Sequence, residues 1–148
     1  MNDLVIWLLG KQPSSFTSQL TMDALHVLTG ALLAWFHGWH KLKDGLAWKS
    51  GQKSNWPFHD EVAEAGFPFP LVNAWIATAA QLGGGLCLIF GFLTGPAALV
   101  LTGTLLGAVY TTLVLKKDSQ MALVYLLLVL AVLGLGPGPC SFDAVFFR

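Results

Sequence analysis

"LVNAWIATAAQLGGGLCLIFGFLTGPAALVLTGTLLGAVYTTLVL", residues 71–115, decides the fold. It breaks once, at the Thr94-Gly95-Pro96 turn, into two apolar segments. Each is close to the ~20 residues that cross a bilayer core. Proline suits the first turn of the helix that follows, because its missing N–H needs no partner there. Two more apolar segments flank the pair, so the spans read about 22–40, 71–93, 96–115 and 119–135. The fourth is short and stops at Gly136-Pro137-Gly138-Pro139, which predicts little tilt or a locally thin bilayer. The fold class that follows is all-α integral membrane, a four-transmembrane-helix bundle forming one domain over residues 1–148. Short second and third connections make it an up-down bundle.

The composition agrees. Charged residues are 11% and hydrophobic ones 55% of the chain, against roughly 25% and 45–50% in soluble domains. Eight basic residues balance eight acidic ones, so no nucleic-acid partner is implied. Cys87 and Cys140 are far apart with no CxxC, which excludes a disulfide framework and a zinc pattern. The N-terminus opens with Asp3 and has an apolar run only from Leu4 to Leu9, too short for a secretory signal. A short interfacial helix carrying Trp7, broken at Pro13, is the expectation. Lys41, Lys43, Lys49, Lys53, Lys116 and Lys117 follow spans one and three, while Lys11 and Arg148 lie on the opposite side. Six against two places those loops in the cytoplasm and both termini outside, and a bacterial inner membrane is the expected location.

Small residues predict the helix contacts. Ala79, Ala80 and Gly83-Gly84-Gly85 form such a face on span two, and Gly103-Thr-Leu-Leu-Gly107 is a GxxxG on span three. Both are read as packing surfaces, where close backbone approach replaces hydrophobic driving force. The long, proline-rich connection between spans one and two is the place to seek function. Its stretch Trp56 to Ala63 is expected to be a short amphipathic helix roofing a pocket over His40.

Span one ends in Ala34-Trp-Phe-His37-Gly-Trp39-His40-Lys41-Leu42, with its two histidines on neighbouring points of one face. They are too close along one helix to clamp a porphyrin, and spans two to four carry no histidine. No haem is therefore expected from this chain alone. The pair with His59, Asp60, Glu61 or Glu64 could make a metal site. An interfacial belt with Trp35 and Trp39 is the favoured reading, and no metal site is expected. Lys41 is read as a snorkelling anchor. Inside the spans, His26 lies three residues from Asp23, and Gln81 and Gln120 are amides that can bond a carbonyl but cannot act as acid or base. No catalytic residues are visible.

These motifs together resemble the DoxX family. Gly38-Trp-His-Lys41-Leu42 is similar to that family's ending of span one, and Gly66-Phe67-Pro68-Phe69-Pro70 to its loop. Leu82-Gly-Gly-Gly-Leu86 leading to Gly91-Phe92-Leu93-Thr94 resembles its second span. Gly136-Pro137-Gly138 with Ser141-Phe142-Asp143 resembles its tail. The resemblance implies a four-helix membrane protein associated with redox membrane complexes, including the DoxD-type subunit of thiosulfate:quinone oxidoreductase. Where the family often carries charges, this chain has His26, Gln81 and Gln120.

The expected function is a small accessory subunit of a larger electron-transfer complex in the membrane. It would pack against partner subunits and lipid, and hold quinone, lipid or pigment at the interface. The alternative is a quinone-reactive redox subunit of DoxD type, and a weaker one is a small-solute carrier. No cofactor is expected to be bound by this chain alone. The candidate quinone-binding residues are His37, Trp39, His40, Lys41, Trp56 and Gln81.

Overall fold

A computed structural model of the chain describes residues 16–138 and 140–146. The expected interfacial helix at Leu4–Leu9 lies outside them. The described residues form helices and connecting turns, with no strand among them. The first rod comprises α1 (Phe16–Ala31), a π-helical segment (Leu32–Trp39) and α2 (His40–Lys49). It runs well past residue 40, the expected end of span one. No proline interrupts it, and it stops only where Gly51 turns left-handed, at φ 78°.

A short helix α3 (Pro57–Glu64) fills the long connection, close to the stretch expected to be amphipathic. Then come α4 (Pro70–Phe90), α5 (Thr94–Val114), α6 (Gln120–Leu135) and the single turn α7 (Phe142–Phe146). Pro70 opens α4, and Gly91 closes it with φ 63°. Among the described residues, α4 and α5 are the two helices long and apolar enough to cross a membrane, while α6 is apolar but only 16 residues long. Only 28% of the most apolar window of α4, and of α5, is buried. Leu71, Val72, Ile76, Leu99, Val100 and Leu113 point outward instead. Such broad exposed apolar faces fit a membrane protein.

The rods pack in a ring: the first on α4, α4 on α5, α5 on α6, and α6 back on α1. The first contact is made by glycines. A Cβ on Gly30 would lie 2.5 Å from the Gly85 carbonyl oxygen, and one on Gly38 2.7 Å from the Leu82 backbone. Gly85 would in turn meet the Ala34 nitrogen at 2.8 Å. Gly84 faces the other way, against Leu101 of α5. The Gly83-Gly84-Gly85 face therefore divides between two neighbours. The apolar core beneath includes Leu33, Leu88, Leu101, Leu105, Val129 and Val132.

The tail closes the ring at one end. Asp143 is fully buried, and its two carboxylate oxygens accept from the N–H groups of Leu93 and Thr94, both at 2.7 Å. Those donors open α5, so a residue some fifty positions away supplies the cap that Leu93 cannot. The Asp143 N–H donates back to the Gly91 carbonyl oxygen. The Ser-Phe-Asp tail thus acts as a tertiary helix cap.

Candidate functional site

The π-helical segment positions the site. Its i→i+5 turn is wider than an α turn, so residues four or five apart share a face more closely than residues three apart. His37 and Lys41, four apart, both line one cavity. His40, only three from His37, is rotated to the exposed side, where its Nδ1 donates to the Trp35 carbonyl oxygen at 3.1 Å. The sequence places both histidines on one face; the π turn separates them. The hydrophobic periodicity of Leu32–Trp39 gives no sign of the widened turn.

The cavity has a volume of about 390 Å³, within the range of small-molecule sites. Its wall draws on the first rod, α3, α4, α5 and α6. At its polar end the Lys41 ammonium donates to Gln81 Oε1 at 3.0 Å. The same ammonium sits 3.6 Å from the centroid of the Phe58 ring, a cation–π contact supplied by α3. Lys41 is half-buried and has no carboxylate within ion-pair distance among the described residues. It is not a snorkelling anchor; it turns inward between helices.

Gln81 is 2% exposed. An ammonium can only donate, so the amide must present its oxygen to Lys41 and its –NH2 elsewhere. That –NH2 makes no hydrogen bond among the described residues, and Gln81 lines the cavity. Beside it, the His37 ring meets Tyr125 of α6 edge-on, with centroids 4.6 Å apart. The polar end therefore has donors to spare: two remaining N–H groups of Lys41, the amide of Gln81 and the imidazole of His37. These groups can donate to an acceptor oxygen.

Away from that end the wall becomes apolar, with Val62, Phe67, Ile76, Leu105 and Met121. Ile76 and Met121 are 57% and 69% exposed, so the cavity opens outward across an apolar rim. A charged edge lies at another part of the wall, where Glu61 accepts from Lys117 at 2.8 Å and Asp118 accepts from the Gln120 N–H at 2.9 Å. The Glu61 carboxylate holds the Lys117 ammonium above the ordinary lysine range.

Of the candidate residues, His37, Lys41 and Gln81 meet at this cavity, while Trp39, His40 and Trp56 do not line it. Trp39 is exposed and stacks on Trp35, with centroids 6.5 Å apart. Trp56 is fully buried in an aromatic cluster, 4.7 Å from Trp75 and 6.2 Å from Trp48 between ring centroids. It helps fix α3 against α4, so its part in the site is indirect. The α3 helix roofs Lys41 through Phe58 rather than His40. Of His26, Gln81 and Gln120, Gln81 alone lines the cavity; His26 is buried in α1 and Gln120 is exposed.

Tyr125 and Phe58 were not singled out as lining residues from the sequence, and Gly103 and Gly107, expected to be a packing face, line the cavity instead. Tyr125 had a signal, being the one side chain on an aliphatic helix with a hydroxyl at mid-length. Among the described residues no three of His, Cys, Asp and Glu gather closely enough to hold a metal ion.

No curated protein and no solved structure matches the chain. The DoxX family model matches residues 24–113, more than half of the chain and every rod that builds the polar end of the cavity except α6. The chain belongs to the DoxX family.

Proposed function

We propose that the chain is a four-span subunit of a membrane electron-transfer complex, holding a quinone in the cavity at Lys41 and Gln81. The single observation that carries this reading is the set of N–H groups left over on Lys41 and Gln81 at one end of a mostly apolar cavity. A quinone carbonyl oxygen would accept from the Lys41 ammonium and the Gln81 amide. Its tail would leave over Ile76 and Met121 into lipid. α1 with its π segment and α6 complete the four spans beside α4 and α5. The lysine-rich connections face the cytoplasm of a bacterial inner membrane, and both termini lie outside.

In this reading the electrons belong to a partner subunit, and the chain is an accessory, quinone-holding component. A quinone-reactive subunit of DoxD type is the neighbouring reading, favoured by the same donors. Purification from native membranes in mild detergent tests the first part: stoichiometric recovery with oxidoreductase or cytochrome subunits is expected. Recovery alone, as monomer or homo-oligomer, overturns the accessory role. Titration with decylubiquinone, followed by quenching of tryptophan fluorescence, tests the second part. Saturable binding that is weakened in Lys41→Met is expected, and no saturable binding overturns the quinone assignment.

A further inference from the structure

Among the described residues, the glycines at the helix contacts differ from the two that line the cavity. Those at helix contacts have no room: a Cβ on Gly30, Gly38, Gly84 or Gly85 would lie within 3 Å of a neighbour. Gly103 is different. A Cβ there meets nothing within 4 Å, and one on Gly107 would meet only Phe67 Cζ at 3.9 Å. Both line the cavity. The GxxxG of α5, expected to be a packing face, therefore packs against no helix. It leaves one bare turn of backbone open to the cavity.

Such an opening has a cost. A glycine inside a helix is less favourable than alanine by about 0.8–1.0 kcal/mol, and neither position has a left-handed φ or a close approach to justify it. What the missing side chains create is a flat strip of cavity wall. Phe67 stands beside it, held edge-on to Tyr110 with centroids 5.4 Å apart. The Gln81 side chain lines the same cavity, and its –NH2, free of any hydrogen bond among the described residues, calls for an occupant with an acceptor oxygen.

We infer that Gly103 and Gly107 are specificity-determining residues, a shelf on which the flat conjugated ring of the ligand lies while its oxygen is held at Lys41 and Gln81. This rests on the quinone reading. A ring can approach bare backbone within ordinary van der Waals distance, whereas any side chain at residue 103 would occupy the space of the ring. A ligand with a carboxylate head and no ring would use the same donors and not need the shelf.

The test compares Gly103→Leu with wild type, using decylubiquinone and decanoate as probes and the thermal midpoint as a ligand-free control. The expected result is at least a tenfold rise in Kd for decylubiquinone. The Kd for decanoate should stay within threefold, and the midpoint should be unchanged or higher because the added side chain meets open space. A variant that folds and binds decylubiquinone as wild type does overturns the shelf and leaves the quinone reading standing. Equal weakening of both probes also overturns it, assigning the strip to the tail. A fall in the midpoint like that of Gly85→Leu overturns it by showing a packing role. Wild type that binds decanoate and not decylubiquinone overturns the quinone reading itself, and the shelf with it.

Discussion

Lys41 donates to Gln81 across 40 residues of sequence, at 3.0 Å, and this bond joins the first rod to α4 at the polar end of the cavity. It also fixes which atoms are left for a ligand. With its oxygen committed to the ammonium, Gln81 can offer only N–H groups. Hydrogen bonds to charged groups contribute about 1.5–3 kcal/mol. Lys41→Met should therefore weaken decylubiquinone binding by roughly ten- to a hundredfold, each tenfold being about 1.4 kcal/mol. Gln81→Glu gives the sharper check. A carboxylate there pairs with Lys41 and offers acceptors in place of donors, so binding should fall while the helices stay together. Unchanged affinity in Gln81→Glu at neutral pH would remove these two residues from the site.

The contact between the first rod and α4 depends on absent side chains. A Cβ at residue 38 would press on the Leu82 backbone, and one at residue 85 on the Ala34 nitrogen. Backbone cannot rotate away as a side chain can. Overpacking of this kind typically costs about 1–3 kcal/mol, so Gly38→Ala and Gly85→Ala should each lower the thermal midpoint in detergent. Gly83→Ala is the control, since a Cβ at residue 83 meets nothing within 4 Å.

Asp143 should be a stability residue with no part in ligand binding. Replacing it by asparagine keeps the shape but removes the charge and one of the two acceptors that serve Leu93 and Thr94. A buried donor left unmatched costs about 1–3 kcal/mol, and the helix dipole loses its counter-charge. Asp143→Asn should unfold at lower temperature while the folded fraction binds decylubiquinone with wild-type affinity. A changed Kd with an unchanged midpoint would contradict this.

The exposed thiol of Cys140 is held above the ordinary cysteine range by a hydrogen bond to Asp23 and by that carboxylate's charge. A raised pKa means less thiolate at a given pH, and the thiolate is the species that alkylates. At pH 8, iodoacetamide should modify Cys140 more slowly than a free cysteine, with the rate still climbing at higher pH. Asp23→Asn removes both causes, so the rate at pH 8 should rise and its pH midpoint should fall. Mass spectrometry of the modified peptide reads this directly.

The sequence by itself determined the family and the helical character. Apolar runs of the right length, bounded by Gly91, Thr94-Gly95-Pro96 and Gly136, fix α4, α5 and α6 to within a few residues, because breakers act locally on the backbone. The short helix after Trp56 was legible for the same reason, with Pro57 at its first turn. The donors His37, Lys41 and Gln81 could be singled out as polar groups in apolar surroundings.

What only the tertiary structure decided is which of these groups meet. The π turn over Leu32–Trp39 rotates His40 out and leaves His37 and Lys41 in, and no spacing in the sequence encodes that choice. The meaning of each small residue was equally undecided. Gly85 and Gly103 are the same residue in similar apolar runs, yet one is pressed against Ala34 and the other opens onto a cavity. A glycine records only that a side chain is missing. Whether a helix or a ligand takes up that space is set by what lies opposite, and that is a property of the packed bundle.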